Sequence, residues 1–307
     1  MNSYISILRF DHWIKNIFVL PGAIVALVIF NTDLSIGLML NIFAATLAAS
    51  FIASANYAIN EWLDRHADAL HPDKQNRPAV RGNVSAFGVY VLYFVMILIG
   101  LFIGSLVNTY VSISLVAFVI SGLVYNVAPV RAKDLIYFDV IIESVNNPIR
   151  MFIGWFSVVE GALIPLSLIV FYWLLGAFMM NAKRLSEWKK FVSKQDRLMY
   201  RPSLGKYSEN MLIVMCFIYA ILSSSSLALF AARYKFELIL WLPFFVLILG
   251  WYFKSALGNS GVTEHPEKLM TSRWLLLLLV FNTIFFFVLL SINIDLLDKI
   301  FYEALIF

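Results

Sequence analysis

The chain alternates between long apolar runs and short polar segments. A helix needs about 20 mainly apolar residues to cross a bilayer, and most of the runs approach or exceed that length. The candidate spans are residues 13–30, 36–62, 87–107, 111–125, 136–158, 164–180, 210–232, 237–253 and 273–294. The pattern therefore predicts an all-α integral membrane protein, a bundle of about nine transmembrane helices that forms a single domain over residues 1–307.

The amino-acid composition excludes an ordinary water-soluble domain. Of the 307 residues, 61% are apolar and 14% are charged, and the mean hydropathy is +0.83. A soluble domain is usually about half apolar and about a quarter charged. Cys216 is the single cysteine and lies in an apolar run. We therefore expect a buried thiol and no internal disulfide.

Lysine and arginine are concentrated in the N-terminal segment and in every second loop of the predicted bundle. Among the intervening loops, segments 31–35, 105–109 and 160–163 carry none, and Arg233 with Lys235 is the exception. Cytoplasmic loops carry the excess of positive charge in membrane proteins. The distribution predicts a cytoplasmic N-terminus, and an odd number of spans then places the C-terminus outside.

The end of the second span carries a stripe of polar residues. Asn56, Asn60, Asp64 and Asp68 recur every four residues, with Glu61 beside them. On a helix this spacing places them along one face. Closely spaced carboxylates repel one another, and a cation would relieve the repulsion. Because carboxylate and amide oxygens suit Mg²⁺, we predict Asn60, Glu61, Asp64 and Asp68 as metal ligands.

Basic residues follow this stripe. Mg²⁺ usually keeps waters and binds substrate phosphate, and Lys74, Arg77 and Arg81 suit contacts with phosphate. A solvated helix end with positive-inside charge would explain any one of these residues. It does not explain a whole stripe that begins inside a membrane span, where ionisable groups are usually functional.

The pattern Asn60-Glu61-x-x-Asp64-x-x-x-Asp68 resembles the NDxxDxxxD motif of the UbiA superfamily of membrane transferases. The resemblance implies a bundle of nine transmembrane helices over essentially the whole chain. It also implies Mg²⁺-dependent transfer with loss of diphosphate, with Asp64 and Asp68 as catalytic residues. The chain has Glu61 where the family usually has aspartate.

The predicted fifth span carries a second polar face. Asp139, Glu143, Asn147 and Arg150 recur at intervals of three or four residues, so they should point into the bundle. Pro148 is expected to kink this helix. Two interpretations stay open. One is a structural ion pair between Glu143 and Arg150. The other is a substrate site in which Arg150 contacts phosphate and Asp139 or Glu143 supports it.

Two further segments extend the resemblance. Tyr125, Pro129 and the basic residues after them are similar to the tyrosine-proline-basic loop that UbiA enzymes place after their fourth helix. Prenyl-transferring members carry a second aspartate-rich motif at the end of the sixth helix. This chain has Lys183, Arg184 and Glu187 there instead.

That replacement resembles the decaprenyl-phosphate phosphoribosyltransferase subgroup, which has a KRxxE pattern followed by a serine/tyrosine stretch. The opening Arg9-x-x-x-Trp13-x-Lys15-Asn16 and the loop His71-Pro72-x-Lys74-x-x-Arg77-Pro78 are also similar to that subgroup. The resemblance and the polar pattern imply catalytic roles for Lys183 and Arg184. The residues expected to bind substrate are Lys15, Lys74, Arg77, Tyr125, Asp139, Glu143, Asn147, Arg150, Glu187 and Tyr207.

Three functions compete at this point. Phosphoribosyl transfer from phosphoribosyl diphosphate to a polyprenyl phosphate is favoured over prenyl transfer to an aromatic acceptor, because the second aspartate-rich motif is missing. An ion-coupled transporter is the third, although we see no internal repeat. The expected partners are a polyprenyl lipid, a diphosphate-bearing substrate, Mg²⁺ and the membrane, with no nucleic acid. We expect a bacterial inner-membrane protein whose site faces the cytoplasm.

Overall fold

The computed structural model describes residues 3–71, 74–258 and 273–297. Within those ranges every regular element is a helix, which confirms the all-α prediction. The α-helices are α1 (Ser3–Ser6), α2 (Leu20–Ile29), α3 (Ile36–Asp68), α4 (Ala86–Val107), α5 (Thr109–Asn126), α6 (Phe138–Ser144), α7 (Asn146–Phe156), α8 (Leu166–Lys190), α9 (Lys194–Tyr200), α10 (Glu209–Tyr234), α11 (Leu242–Leu257) and α12 (Arg273–Ser291). Short 3₁₀ helices lie at Phe10–Val19, Ala132–Asp134, Leu204–Lys206 and Phe236–Trp241.

Seven helical segments of the described chain are long and apolar enough to cross a membrane. They are Ser3–Ile29, Ile36–Asp68, Ala86–Val107, Thr109–Asn126, Leu166–Lys190, Glu209–Tyr234 and Phe236–Leu257, and Val280–Ser291 is a shorter apolar stretch. Large apolar side chains such as Ile36, Phe87 and Leu98 are exposed along them. Soluble proteins avoid apolar surface on this scale, so the protein is integral to the membrane. The count of nine spans and the orientation stay predictions.

The predicted fifth span is interrupted near its middle, as the proline suggested. α6 ends at Ser144 and α7 begins at Asn146, with Val145 between them. Pro148 has no backbone N–H to donate to the carbonyl of Ser144, and its ring crowds that carbonyl. The break therefore falls one turn before the proline itself.

The predicted first span is also two elements. Residues Phe10–Val19 form a 3₁₀ helix, and α2 continues from Leu20. Pro21 lies in the first turn of α2, where a missing N–H leaves no hydrogen bond unmade. The 3₁₀ helix begins after Arg9, whose φ of 49° lies in the left-handed region.

α2 packs closely against α7 because glycine lies at their contact. A Cβ atom on Gly22 would come within 2.1 Å of the Met151 carbonyl oxygen, and one on Gly154 within 1.9 Å of the Val19 carbonyl oxygen. Only a residue without a side chain permits such an approach. The N-terminal segment is thereby held against α7.

The chain divides into two compact units. Unit 1 comprises Met1–Ile164 with Phe191–Tyr207, and unit 2 comprises Pro165–Lys190 with Ser208–Phe307. In unit 1, α3 packs against α4, α5 and α7 through small buried residues such as Ala45, Ala48 and Ala49. In unit 2, α8 packs against α10 and α11, and Cys216 of α10 is buried, as predicted. The single domain over residues 1–307 stays a prediction.

Candidate active site

The polar stripe lies at the end of α3, which continues as far as Asp68. Asn60, Asp64 and Asp68 therefore occupy one face of an unbroken helix. The side-chain amide of Asn60 donates to Asp64 Oδ2 at 3.2 Å and to Asn126 Oδ1 at 2.5 Å. Asn56 begins the row one turn earlier and donates to the Phe118 carbonyl at 3.2 Å.

Asp64 is bound by two cations from the loop after α5. Its Oδ1 atom lies 2.5 Å from Lys133 Nζ and 3.1 Å from Arg131 Nη2. Arg131 also pairs with Asp134 at 2.7 Å and has a φ of 37°. A left-handed arginine is an unfavourable conformation that surrounding contacts must maintain. The bend in the loop directs both cations at one carboxylate oxygen.

Lys133 is a buried cation, with only 2% of its surface exposed. Burial lowers the pKa of Lys133 to about 8, and the neighbouring Asp64 opposes that shift. The ammonium group therefore still carries its charge at neutral pH. Its Nζ atom also donates to Asn126 Oδ1 at 3.0 Å.

Asn126 joins the stripe to this loop. It is the last residue of α5 and is 3% exposed. Its Oδ1 atom accepts from both Asn60 and Lys133, and its Nδ2 atom donates to the Gly122 carbonyl at 2.9 Å. A single buried amide thus fixes the positions of a stripe residue and a cation.

Asp68 is bound by cations from a different loop, the one after α3. It pairs with Arg77 Nη1 and with Lys74 Nζ, the latter at 3.2 Å, and is 2% exposed. Lys74 Nζ also donates to the Tyr200 hydroxyl at 2.5 Å and lies 4.8 Å from the centre of that ring. The predicted phosphate contacts Lys74 and Arg77 therefore lie beside the stripe. Arg81 is exposed and binds Asn76.

A cavity of about 420 Å³ lies at this end of α3. Its lining includes Asp64, Asp68, Arg131, Lys133, Tyr200 and Arg201. Arg201 donates to the hydroxyl of Tyr125 at 3.0 Å. The predicted residue Tyr125 therefore contacts a residue of the cavity lining, and its role in substrate binding stays a prediction. The two carboxylates thus line one cavity together with several cations.

The site can be tested for a fit to Mg²⁺. Over the described part of the chain, no group of three or more His, Cys, Asp or Glu side chains is placed to hold a metal ion. Mg²⁺ seldom needs such a cage, because it keeps waters and binds through one or two carboxylates together with substrate phosphate. This mode of binding fits Asp64 and Asp68, which line the same cavity, together with the amide of Asn60.

Glu61 has a different set of partners from Asp64 and Asp68. Its Oε2 atom accepts from Arg9 Nη2 at 2.6 Å and Arg9 Nε at 3.2 Å. Its Oε1 atom accepts from the backbone N–H of Ala79 at 3.3 Å. Its role as a metal ligand stays a prediction, and these contacts favour another role.

Asp139 and Tyr207 meet in the structure. The Tyr207 hydroxyl donates to Asp139 Oδ1 at 2.7 Å and accepts from the backbone N–H of Tyr137 at 2.7 Å. The Ser203 hydroxyl lies 3.1 Å from Asp139 Oδ2 and 2.8 Å from the Lys133 carbonyl oxygen. This buried group therefore fixes the loop that carries Lys133.

Arg150 lies on α7 with a separate set of partners. It donates to Asn16 Oδ1 at 3.0 Å and to the Asn146 carbonyl at 3.4 Å. Its guanidinium group lies 4.8 Å from the centre of the Phe118 ring. The contact of Arg150 with phosphate stays a prediction. Asp139, which was expected to support that contact, forms hydrogen bonds with Tyr207 and Ser203.

The other predicted residues of unit 1 are Lys15, Glu143 and Asn147. Lys15 Nζ is 3.4 Å from His12 Nδ1 and 6.0 Å from the centre of the Tyr57 ring. Glu143 on α6 and Asn147 on α7 are partly buried. The polar face of the fifth span is thus largely enclosed.

The remaining predicted residues belong to unit 2. Arg184 and Glu187 form a buried ion pair on α8, with Arg184 Nη1 at 2.6 Å from Glu187 Oε2. Lys183 is partly buried beside them. Their catalytic and substrate-binding roles stay predictions.

Several residues that the structure brings to the site were not among the predicted site residues, although some of them stand in the motifs that carry the resemblance. Loop residues 129–133 carry an identifiable signal, since a proline with basic residues after a span resembles the family's loop. Only Tyr125 of that region was predicted to bind substrate. The residues not predicted are Arg9, Asn126, Arg131, Lys133, Tyr200 and Arg201.

Fold and site together define an integral membrane protein with a cation-rich cavity at a helix end. Residues 18–283 match the UbiA prenyltransferase family, and the chain belongs to that family. Membership of this family favours transfer over the transporter alternative.

Solved structures have the same fold over almost the whole chain. A UbiA homolog from Archaeoglobus fulgidus bound to DMAPP and Mg²⁺ covers 95% of this chain and 100% of its own, with a TM-score of 0.68 at 17% identity. The same homolog bound to GPP and Mg²⁺ covers 94% of this chain and 100% of its own, with a TM-score of 0.67 at 18% identity. At these identities the comparison shows the UbiA fold.

Among curated proteins, protoheme IX farnesyltransferase 2 of Lysinibacillus sphaericus (strain C3-41) is similar to part of the chain. The two are 30% identical over 116 residues, which is 37% of this chain. The matched part of the chain spans 35% of the length of that relative.

Proposed function

We propose that this transferase moves the 5-phosphoribosyl group of phosphoribosyl diphosphate to a polyprenyl phosphate, with Mg²⁺ and with loss of diphosphate. The observation that carries the proposal is the excess of cations around Asp64 and Asp68. The cations are Lys74, Arg77, Arg131, Lys133 and Arg201. Phosphoribosyl diphosphate has a 5-phosphate besides its diphosphate, so it needs more positive charge than a prenyl diphosphate does.

The resemblance to the phosphoribosyltransferase subgroup supports the same choice. Its three motifs in unit 1 are far apart in the sequence, but two of them contact the stripe or Glu61 beside it, and the third contacts the group around the Lys133 loop. Arg9 of the opening motif binds Glu61, and Arg77 of the next loop binds Asp68. Tyr207 binds Asp139, which is part of the group that fixes the Lys133 loop.

Asp64, Asp68 and the side-chain oxygen of Asn60 would hold Mg²⁺. The bound ion would neutralise charge on the diphosphate oxygens. The A. fulgidus homolog bound to GPP and Mg²⁺ supports this requirement. The residues present fit the ion because its usual site combines few carboxylates with substrate phosphate.

The basic residues would bind the leaving group. As the bond between ribose C1 and the diphosphate oxygen breaks, the electron pair stays with diphosphate, and Arg131 and Lys133 stabilise the growing negative charge. An oxygen of the polyprenyl phosphate then forms the new bond to C1. That oxygen is already anionic, so the site needs no strong base.

A second candidate is prenyl transfer from a prenyl diphosphate to another acceptor. It is favoured by the homolog structures with GPP and DMAPP and by the farnesyltransferase relative. The same carboxylates and cations would bind the same leaving group. Lys183, Arg184 and Glu187 in place of a second aspartate-rich motif favour the phosphoribosyl reaction.

The two candidates predict different products from the same purified protein. With Mg²⁺, labelled phosphoribosyl diphosphate and polyprenyl phosphate, we expect the label to enter a lipid-extractable product. Asp64→Asn should abolish that transfer. No labelled lipid, together with prenylation of an aromatic acceptor from GPP, would instead establish the second candidate.

The location also belongs to the proposal. We place the site on the cytoplasmic side of a bacterial inner membrane, since lysine and arginine cluster in the loops that surround it. Phosphoribosyl diphosphate is a highly charged molecule that does not cross a bilayer unaided, so a site for it should open to the cytoplasm.

A further inference from the structure

A buried ion pair next to the stripe takes no part in the chemistry described so far. Glu61 is 1% exposed, and its partner Arg9 is 18% exposed, at a distance of 2.6 Å. Burying a carboxylate is unfavourable unless it is paired and hydrogen-bonded. Glu61 meets that requirement through Arg9 and the backbone N–H of Ala79.

The two oxygens of Glu61 bind two different segments of the chain. Oε2 holds Arg9, at the start of the 3₁₀ helix Phe10–Val19, and Oε1 holds Ala79, in the loop after α3. Ala79 is two residues beyond Arg77, which binds Asp68. One side chain of α3 thus ties both segments to that helix.

The electrostatics place these groups close together. Burial is the main cause that lowers the pKa of Arg77, Arg9 lowers it further, and Asp68 and Glu61 oppose them.

We propose that Glu61 and Arg9 form a latch that positions the loop carrying Lys74 and Arg77 against Asp68, and that Glu61 is a positioning residue and not a metal ligand. Glutamate has one methylene more than the aspartate usual in the family, and both contacts use that reach. The inference rests on the proposed function only in taking diphosphate as the bound group.

The test uses the full-length protein in detergent with Mg²⁺ and inorganic diphosphate as the probe. The variants are Glu61→Gln, Glu61→Asp, Arg9→Met and the double variant Glu61→Gln/Arg9→Met. Arg65→Met is the matched control, because Arg65 lies one turn further along α3 and, within the part of the chain that the structure describes, its side chain contacts Trp62. Calorimetry measures the affinity for diphosphate and its dependence on Mg²⁺, and hydrogen exchange measures opening of the loop at residues 74–85.

The latch predicts faster loop exchange and about 10-fold weaker diphosphate binding in each single variant, the loss expected for a charged hydrogen bond. The double variant should bind diphosphate no more weakly than the weaker-binding single variant does, because both substitutions break the same Arg9–Glu61 interaction. The Mg²⁺ concentration for half-saturation should stay unchanged. Arg65→Met should resemble the wild type.

Glu61→Asp keeps the charge and supplies the family's usual residue, so it separates the two roles even if Glu61→Gln fails to fold. If Glu61 were a metal ligand, Glu61→Asp would keep its affinity for diphosphate, Glu61→Gln would need more Mg²⁺, and Arg9→Met would have no effect. That result would overturn the latch. Unchanged loop exchange in the single variants also overturns it. If the single variants showed faster loop exchange but the wild-type protein bound no Mg²⁺–diphosphate, the result would support the latch and contradict the proposed function.

Discussion

Asp64 and Asp68 each accept contacts from two cations, and the two pairs of cations come from different loops. This arrangement holds positive charge beside both carboxylates. If a metal ion were held by the carboxylate oxygens, the same cations would become available to phosphate. The charge pairs are thus the feature on which the proposed binding of an anionic substrate rests.

Arg201 is expected to contribute to the binding of phosphate from its place in the cavity lining. Arg201→Met should weaken binding of Mg²⁺–diphosphate about 10-fold, since a charged hydrogen bond is lost. Tyr125→Phe is the matched control, because it removes only the hydroxyl that Arg201 contacts at 3.0 Å. Calorimetry on both variants checks this expectation, and equal losses would show that Arg201 acts only through Tyr125.

The sequence was sufficient to identify residues that repeat along one helix, and insufficient for contacts between segments. Asn60, Asp64 and Asp68 follow from four-residue spacing. The pairing of Asp64 with Lys133 joins residues that are 69 positions apart along the chain, and hydropathy does not specify such contacts. For the same reason the pairing of Glu61 with Arg9 could not be predicted from the sequence.

Helices with a clear apolar boundary were predicted to within a few residues. The run 87–107 corresponds to α4 at Ala86–Val107, and the run 210–232 corresponds to α10 at Glu209–Tyr234. Irregular elements were missed, because apolar residues fill 3₁₀ and broken helices as readily as α-helices. The 3₁₀ segment before α2 is the example, and its boundary follows from Pro21 rather than from hydropathy.

The close contact of α2 with α7 gives a prediction about stability. Gly154→Ala should lower the free energy of unfolding by about 1–3 kcal/mol, the usual cost of overpacking, because the new Cβ would meet the Val19 carbonyl. Gly250→Ala is the control, since a Cβ there meets nothing within 4 Å. It should be neutral or slightly stabilising, because alanine favours helix.

Thermal and chemical unfolding in detergent would measure both glycine variants. Equal stability of Gly154→Ala and wild type would show that α2 and α7 are further apart than the structure places them. Loss of stability in Gly250→Ala would indicate a contact on α11 that the described residues do not contain.

The contacts of the carboxylate site described above lie within unit 1, whose two segments are separated in the sequence by α8. Segment 191–207 supplies Tyr200, Arg201, Ser203 and Tyr207 to residues of the first segment. The sequence revealed the family over the whole chain but not this division, because hydropathy does not report which helices pack together.

The orientation in the membrane can be tested with introduced cysteines, since the native Cys216 is buried. Asp33→Cys and Gln75→Cys replace exposed residues of the loops before and after α3. A membrane-impermeant maleimide added to intact cells should label Asp33→Cys only, and Gln75→Cys should react after the cells are opened. The reverse pattern would place the candidate site outside.

A structure with Mg²⁺ and inorganic diphosphate bound would test the carboxylate–cation site itself. We expect the ion between Asp64 and Asp68 and diphosphate oxygens against Arg131 and Lys133. An ion and a diphosphate bound elsewhere, with Asp64 still paired to Lys133 and Asp68 to Arg77, would contradict the site and the reaction assigned to it.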